Sequence, residues 1–200
     1  MIKIGITGGM GSGKSFVSNV LRQKGYIVFD CDKEAKILMT HNEQIIKSIK
    51  NIIGEDAYIK EKDEDGNDIL TLNKQLIANF IFSNIQNRNK INMIVHQALS
   101  LFLKQWAFNI NETIVFIESA ILFESGFNTL VDITVMVYAD EKLRINRCLN
   151  RNKTDVDKIK KRINTQMDQK MLANKVDYIL LNNEYIDIEK QIDYLLNDIH

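Results

Sequence analysis

A glycine-rich segment between an apolar run and an amphipathic run limits what this chain can fold into. The apolar run is Ile2–Thr7, and Gly8–Gly13 directly after it holds four of the nine glycines in the 200-residue chain. Glycines tolerate positive φ angles and carry no side chain, so successive backbone N–H groups can turn towards one ligand. Apolar residues then recur at helical spacing, at Phe16, Val17, Val20 and Leu21. We therefore predict a strand, a tight loop and a helix in that order.

The loop matches the pattern GxxxxGK[ST] at Gly8, Gly13, Lys14 and Ser15. The strand before it and the helix after it supply the context that a phosphate-binding loop requires. The N–H groups at the start of the helix would add donors and the positive end of the helix dipole. Lys14 would reach the outer phosphates of a nucleotide, and the Ser15 hydroxyl would ligate Mg²⁺ between two of them. The sequence therefore predicts a nucleotide-binding P-loop.

Four further runs have strand length and are mostly β-branched or aromatic. They are Tyr26–Asp30, Thr113–Ser119, Ile133–Tyr138 and Tyr178–Leu181. Helical patterns lie between them, and strands that alternate with helices imply right-handed crossovers and a parallel sheet. We predict an α/β fold: a three-layer α/β/α P-loop NTPase with a five-stranded parallel sheet.

Two segments depart from the alternation. Residues 33–108 are almost wholly helical in pattern, interrupted by the polar turn KEKDEDGND, and residues 144–175 are polar and rich in Arg, Lys and Asn. In the second segment, Thr154 and Asp157 have the spacing of a capping box. We predict a helical insertion over 33–108 and a small arginine-rich lid over 144–175. The nucleotide-binding core would then comprise residues 1–32, 109–143 and 176–200.

Composition limits the partners and the location. The chain has 26 Lys and Arg residues against 26 Asp and Glu residues, so its overall charge does not favour nucleic acid or an anionic membrane surface. Cys31 and Cys148 give neither a CxxC pair nor a disulfide framework. The sequence starts without a signal-peptide pattern, and no apolar run approaches the roughly 20 residues of a membrane span. We expect a cytoplasmic protein that binds neither nucleic acid nor membrane, and the sequence leaves its oligomeric state open.

Charged side chains near the loop favour phosphoryl transfer. Asp30 and Asp32 follow the second strand, at the sheet edge where open α/β sheets bind ligands, and in an extended segment they would point the same way. One carboxylate could orient or deprotonate an acceptor hydroxyl, although two solvated carboxylates at a helix start are the alternative. Arg144, Arg147 and Arg151 would share one helix side, either as a solvated basic face or as a lid that brings guanidinium groups to the phosphates.

These residues resemble the dephospho-CoA kinase family from Ile4 to Asn182. The opening GITGGMGSGKS is similar to the family's phosphate loop, and DCDKEAK to its Asp-x-Asp stretch after strand two. The segment IFSNIQNRNKINMIVH resembles a family segment through Phe82, Arg88 and His96. SAILFESG stands where the family has Pro-Leu-Leu-Phe-Glu, and RCLNRN followed by RINTQ resembles its lid.

The resemblance implies a kinase that transfers the γ-phosphate of ATP, with Mg²⁺, to the 3′-hydroxyl of dephospho-CoA, the last step of coenzyme A synthesis. It implies that Asp32 is the catalytic base, that Asp30 supports it or the metal, and that Arg147 and Arg151 hold phosphates from the lid. The ATP-binding residues it implies are Gly11, Ser12, Gly13, Lys14, Ser15 and Phe16. The helical insertion would bind the acceptor, with Arg88 and His96 as contacts, although His96 is equally well explained as a packed histidine.

Several positions depart from the family pattern. Phe16 replaces a small hydroxyl residue, Ala120 and Gln97 stand where proline is common, and Asn73-Lys74 replaces an Asp-Arg pair. Glu118 replaces an Asp at the end of the third predicted strand, which leaves its part in the metal shell open. Two other functions therefore remain as alternatives: a kinase for another small molecule or nucleoside monophosphate, and a P-loop nucleotide sensor without enzymatic activity.

Overall fold

The structure is a computed structural model that describes residues 1–152, 155–183 and 185–199. Its strands are β1 (Ile2–Thr7), β2 (Ile27–Asp30), β3 (Tyr58–Lys62), β4 (Asp68–Leu72), β5 (Ile114–Glu118), β6 (Ile133–Tyr138) and β7 (Tyr178–Leu181). Its α-helices are α1 (Lys14–Gln23), α2 (Cys31–His41), α3 (Glu43–Ile53), α4 (Lys74–Ser83), α5 (Ile85–Phe108), α6 (Glu141–Asn152), α7 (Val156–Ile163), α8 (Gln169–Ala173) and α9 (Ile188–Ile199). The chain forms two compact units, one of Met1–Asp32 with Ile110–His200 and one of Lys33–Asn109.

The first unit contains a five-stranded parallel sheet in the order β2-β5-β1-β6-β7. Helices lie on both sides of it, so the predicted three-layer fold is confirmed. The strands begin and end within one residue of the predicted runs, because both faces of a parallel sheet are covered and its strands read as continuous apolar runs. All five residues of β5 are buried, and Ile4 and Ile6 of the central strand are at most 1% exposed.

The second unit contains an antiparallel hairpin that the helical pattern did not predict. β3 and β4 pair from Tyr58 opposite Leu72 to Lys62 opposite Asp68, and the predicted polar turn forms the tip. There the Asp63 carboxylate accepts the backbone N–H groups of Asp65 and Asn67. The expectation of helices directly flanking this turn was wrong. Four of the five β3 residues are exposed, so the strand lacks the buried face whose alternation would reveal it.

The other elements of the second unit pack around a core of Ile45, Ile49, Ala57, Tyr58, Ile91 and Val95. Asn73 caps α4, because its side chain accepts the N–H of Leu76 at 3.1 Å. Its own N–H and amide donate to the carbonyls of Ala57 and Asp56. Asparagine and aspartate are comparable N-caps, so this departure from the family pattern preserves the helix start.

Two further expectations concern the start of α7 and the membrane. Of the predicted capping box, Thr154 lies outside the described residues, and α7 is capped by Asp155, whose carboxylate accepts the N–H of Asp157 at 3.2 Å. Among the helices that the structure describes, none is long and apolar enough to cross a membrane.

Candidate active site

The loop between β1 and α1 depends on glycine at three positions. Gly8, Gly11 and Gly13 have φ angles of 145°, 80° and 98°, a region that other residues adopt only with strain. Gly13 is the N-cap of α1, and its carbonyl accepts the N–H groups of Phe16 and Val17. The loop therefore leads directly into a helix N-terminus, where unpaired N–H groups favour an anion.

Lys14 begins α1 and folds back over the loop. Its ammonium group donates to the carbonyl of Gly8 at 2.9 Å and to that of Gly9 at 3.4 Å. Burial lowers the pKa of Lys14, while the negative charges of Glu118 and Asp32 act in the opposite direction. A buried ammonium group beside glycine carbonyls is positioned to exchange those carbonyls for phosphate oxygens.

Ser15 and Glu118 form a hydrogen-bonded pair of oxygen-bearing side chains beside the loop. The Ser15 hydroxyl donates to Glu118 Oε1 at 3.2 Å, and Glu118 is the buried last residue of β5. Asp30, the last residue of β2, is the register neighbour of Glu118, so the two backbones are about 5 Å apart. Mg²⁺ prefers oxygen ligands and commonly takes one or two carboxylates, waters and substrate phosphates. The donor set at this edge of the sheet therefore fits Mg²⁺.

Asp30 and Asp32 do not extend one strand as expected. Asp30 ends β2, but α2 begins at Cys31, so Asp32 lies in the first turn of a helix. The two residues therefore lie in different elements, and the alternation of an extended segment does not relate their side chains. Asp32 is exposed, and its charge acts on the Lys14 ammonium group. The carboxylate predicted to serve as a base thus lies in the electrostatic environment of the phosphate loop.

The three arginines of α6 have different environments. Arg151 is exposed, whereas Arg147 is half-buried and makes two long hydrogen bonds of 3.4 Å, to the carbonyl of Ser12 and the side chain of Asn182. Arg144 is 3% exposed, and its Nε donates to the carbonyl of Met10 at 2.9 Å. The interpretation of all three as one lid face is therefore wrong for Arg144, because that side chain is buried against the loop.

Two residues that contact the loop lay outside the predicted site. Asn182 directly follows β7 and donates to the carbonyl of Ser12 at 2.8 Å. Gln166 accepts the N–H of Met10 at 2.8 Å and donates to the carbonyl of Ala120 at 3.3 Å. The sequence signal for Asn182 was a polar residue at the carboxyl end of a predicted strand. Gln166 was noted in the RINTQ segment, but nothing in its spacing indicated a contact with the loop.

The remaining predicted site residues belong to the second unit. Arg88 and His96 both lie on α5, eight residues apart, which corresponds to about 12 Å along a helix axis. Both side chains are half-buried, and burial lowers the pKa of His96. Phe82, at the end of α4, is 73% exposed.

The parallel sheet, the glycine loop, the inward lysine and the serine–carboxylate pair define a P-loop phosphotransferase. The model of the family described as dephospho-CoA kinase matches residues 2–187. A dephospho-CoA kinase from Bacteroides fragilis is 35% identical over 183 residues, which cover 91% of this chain and 85% of that protein. The chain therefore belongs to the dephospho-CoA kinase family.

Solved structures agree with this fold. A protein from Thermus thermophilus superposes with a TM-score of 0.83 at 26% identity, over 100% of this chain and 98% of that chain. A dephospho-CoA kinase from Campylobacter jejuni gives a TM-score of 0.68 at 20% identity, over 98% and 96% of the two chains. At that level of identity, the second likeness concerns the fold alone.

The geometry of Lys14 yields a first prediction. We expect Lys14→Met to weaken binding of ADP by about ten- to hundredfold, because a charge-assisted hydrogen bond to phosphate is lost. Isothermal titration calorimetry would measure the dissociation constant. Lys24→Met is the matched control, since Lys24 lies at the other end of α1 and pairs with Asp193 at 2.7 Å. Equal binding by the Lys14→Met and Lys24→Met variants would contradict the assignment.

Proposed function

We propose that this protein transfers the γ-phosphate of ATP to the 3′-hydroxyl of the ribose in dephospho-CoA, giving coenzyme A and ADP. The observation that carries the proposal is the phosphate loop with its buried Lys14 beside the Ser15–Glu118 pair. A sensor could share the loop, but phosphoryl transfer also needs carboxylates near it. Asp32 acts electrostatically on Lys14, and Asp30 lies beside Glu118 in the sheet.

In this proposal the loop orients the triphosphate before the reaction. Backbone N–H groups of Gly11, Gly13, Lys14 and Ser15 would surround phosphate oxygens, since those of Ser12 and Phe16 donate to the carbonyls of Gly9 and Gly13. The Lys14 ammonium group would exchange its carbonyl partners for the outer phosphates. Ser15 would hold Mg²⁺, with Glu118 beside it. The ion, when bound, neutralises charge on the phosphates. Phe16 is 50% exposed and would pack near the nucleotide in place of a small hydroxyl side chain.

We assign Asp32 as the general base. The ribose 3′-oxygen attacks the γ-phosphorus, the bond from that phosphorus to the β,γ-bridging oxygen breaks, and the hydroxyl proton passes to the Asp32 carboxylate. ADP then leaves with the electron pair of the broken bond. Asp30 would bind or orient the acceptor. Arg147 and Arg151 would stabilise charge on the transferring group, the part that an arginine plays in other phosphoryl-transfer enzymes.

We propose that the second unit binds the acceptor through Arg88 and His96. An arginine is suited to a diphosphate because its guanidinium group binds phosphate oxygens in a bidentate way. The lowered pKa of His96 keeps the imidazole neutral near pH 7, so it would serve as a hydrogen-bond partner and not as a cation. We further propose a cytoplasmic location, with which the two buried thiols of Cys31 and Cys148 agree.

The proposed function is tested by the acceptor that stimulates ADP release. Purified protein with Mg²⁺ and ATP is given dephospho-CoA, nucleoside monophosphates or small alcohols, and the products are identified by mass spectrometry. We expect stimulation by dephospho-CoA and a product with a new 3′-phosphate. Stimulation by a different acceptor would replace the proposed substrate. ATP binding without stimulation by any acceptor would favour the nucleotide sensor.

The role of Asp32 is tested by Asp32→Asn. Loss of a general base lowers kcat by about 10²–10⁴, and we expect the dissociation constant of ATP to stay within about twofold, because Asp32 is proposed to act on the acceptor. Asp193→Asn, which changes an exposed carboxylate of α9, is the control and should keep wild-type kcat. Wild-type turnover in Asp32→Asn would remove Asp32 from the role of base.

The metal-binding role of Ser15 is tested by Ser15→Ala. We expect the Mg²⁺ concentration for half-maximal activity to rise about ten- to hundredfold, as for other losses from a metal's ligand shells. Ser18→Ala on the same helix is the control. Ser18 is fully buried, and its hydroxyl has no hydrogen-bond partner among the described residues, so its removal should leave the Mg²⁺ dependence unchanged. An unchanged Mg²⁺ requirement in Ser15→Ala would exclude Ser15 as a ligand.

A further inference from the structure

The phosphate loop contains two glycines that its binding pattern does not require. The pattern GxxxxGK[ST] specifies Gly8 and Gly13 and leaves Gly9 and Gly11 free. Gly11 has a positive φ, which accounts for its identity, but Gly9 is not among the glycines with positive φ. The backbone at Gly9 therefore does not by itself exclude a side chain, so any constraint on the residue type there comes from its surroundings.

That constraint is the side chain of Arg144. A Cβ atom added to Gly9 would fall on the Arg144 guanidinium group, and all three of its nearest atoms belong to that group. The guanidinium is buried, and its Nε donates to the carbonyl of Met10, the next residue of the loop. The planar group thus occupies the space above Gly9 while its hydrogen bond fixes the adjacent peptide.

The first two turns of α6 continue this contact along the loop. A Cβ atom on Gly11 would lie 2.9 Å from Cys148 Sγ, one helical turn beyond Arg144. Arg147, on the same helix, reaches the carbonyl of Ser12. Residues from the first two turns of α6 therefore contact the loop at Gly9, Met10, Gly11 and Ser12.

We propose that Arg144 is a positioning residue for the phosphate loop, and that Gly9 is glycine because the Arg144 guanidinium group packs on it. Arg144 acts through the loop backbone and not by contact with the nucleotide. The inference deepens the proposed function, on which its catalytic consequence rests. Without Arg144 the peptide between Met10 and Gly11 loses the hydrogen bond that fixes its orientation, and the N–H groups that follow bind phosphate less well.

The test is a double-mutant cycle in the full chain with Gly9→Ala, Arg144→Ala and both together. The dissociation constant of ADP is measured by calorimetry, and KM for ATP and kcat are measured with dephospho-CoA. We expect each single variant to weaken ADP binding about tenfold. A loss of this size is comparable to the coupling usually found between residues in contact. With Arg144→Ala present, the added methyl group has no guanidinium to displace, so Gly9→Ala should cost less than about twofold.

Two controls separate positioning from other roles. Gly25→Ala adds a methyl group where φ is 91° and no described atom lies within 4 Å of it, so it strains the backbone away from the loop and should leave ADP binding unchanged. Arg144→Lys keeps the positive charge but loses the planar group. If Arg144 acted through its charge on the phosphates, Arg144→Lys would bind ADP like the wild type, and that result would overturn the proposal.

The outcomes are distinguishable from failure of the proposed function. If the wild type binds ADP but does not phosphorylate dephospho-CoA, the proposed substrate fails, and the cycle in ADP affinity still decides the role of Arg144. The same tenfold loss from Gly9→Ala with and without Arg144, or no loss at all, would refute the inference. If Gly9→Ala alone fails to fold but folds with Arg144→Ala, the contact is supported. If Arg144→Ala fails to fold, the same cycle is run with Arg144→Lys.

Discussion

The structure depends on one backbone constraint, which is the tight glycine-rich turn between β1 and α1. Such a turn leaves carbonyl groups without partners in the loop itself, and buried acceptors need hydrogen-bond partners. Side chains supply these partners, and all except Lys14 come from distant parts of the chain. The donors are Lys14 to Gly8 and Gly9, Arg144 to Met10, and Asn182 with Arg147 to Ser12. These side chains therefore satisfy the loop carbonyls, and Lys14 is the partner that we propose exchanges them for phosphate.

The features that the sequence could predict are those with a short-range pattern. The phosphate loop and the five sheet strands follow from short-range patterns, because buried parallel strands are continuous apolar runs and glycines mark the tight loop. The hairpin of β3 and β4 was missed because its residues are mostly exposed. The expectation of one extended segment through Asp30 and Asp32 was also wrong, since nothing in IVFDCDKEA specifies that the helix begins at Cys31 and not after Asp32.

The contacts of Arg144, Asn182 and Gln166 could not be predicted for a different reason. Each joins the loop to a residue more than 130 positions away, and helical spacing shows only which residues share a side. Arg144, Arg147 and Arg151 have the spacing of one basic stripe, yet only Arg144 is buried. The difference arises from the loop, because the glycine at position 9 leaves room for one guanidinium group.

Lys14 connects the stability of the loop with the phosphate binding that we propose. In the structure its ammonium group is held by the carbonyls of Gly8 and Gly9, so burial of the charge is partly compensated. Phosphate oxygens carry more negative charge than a carbonyl and make stronger hydrogen bonds with an ammonium group. The phosphate binding that we propose would therefore exchange one set of Lys14 partners for a better one, and the net gain in binding free energy would be the difference between them. The carbonyls of Gly8 and Gly9 that hold Lys14 would thus compete with phosphate for its ammonium group.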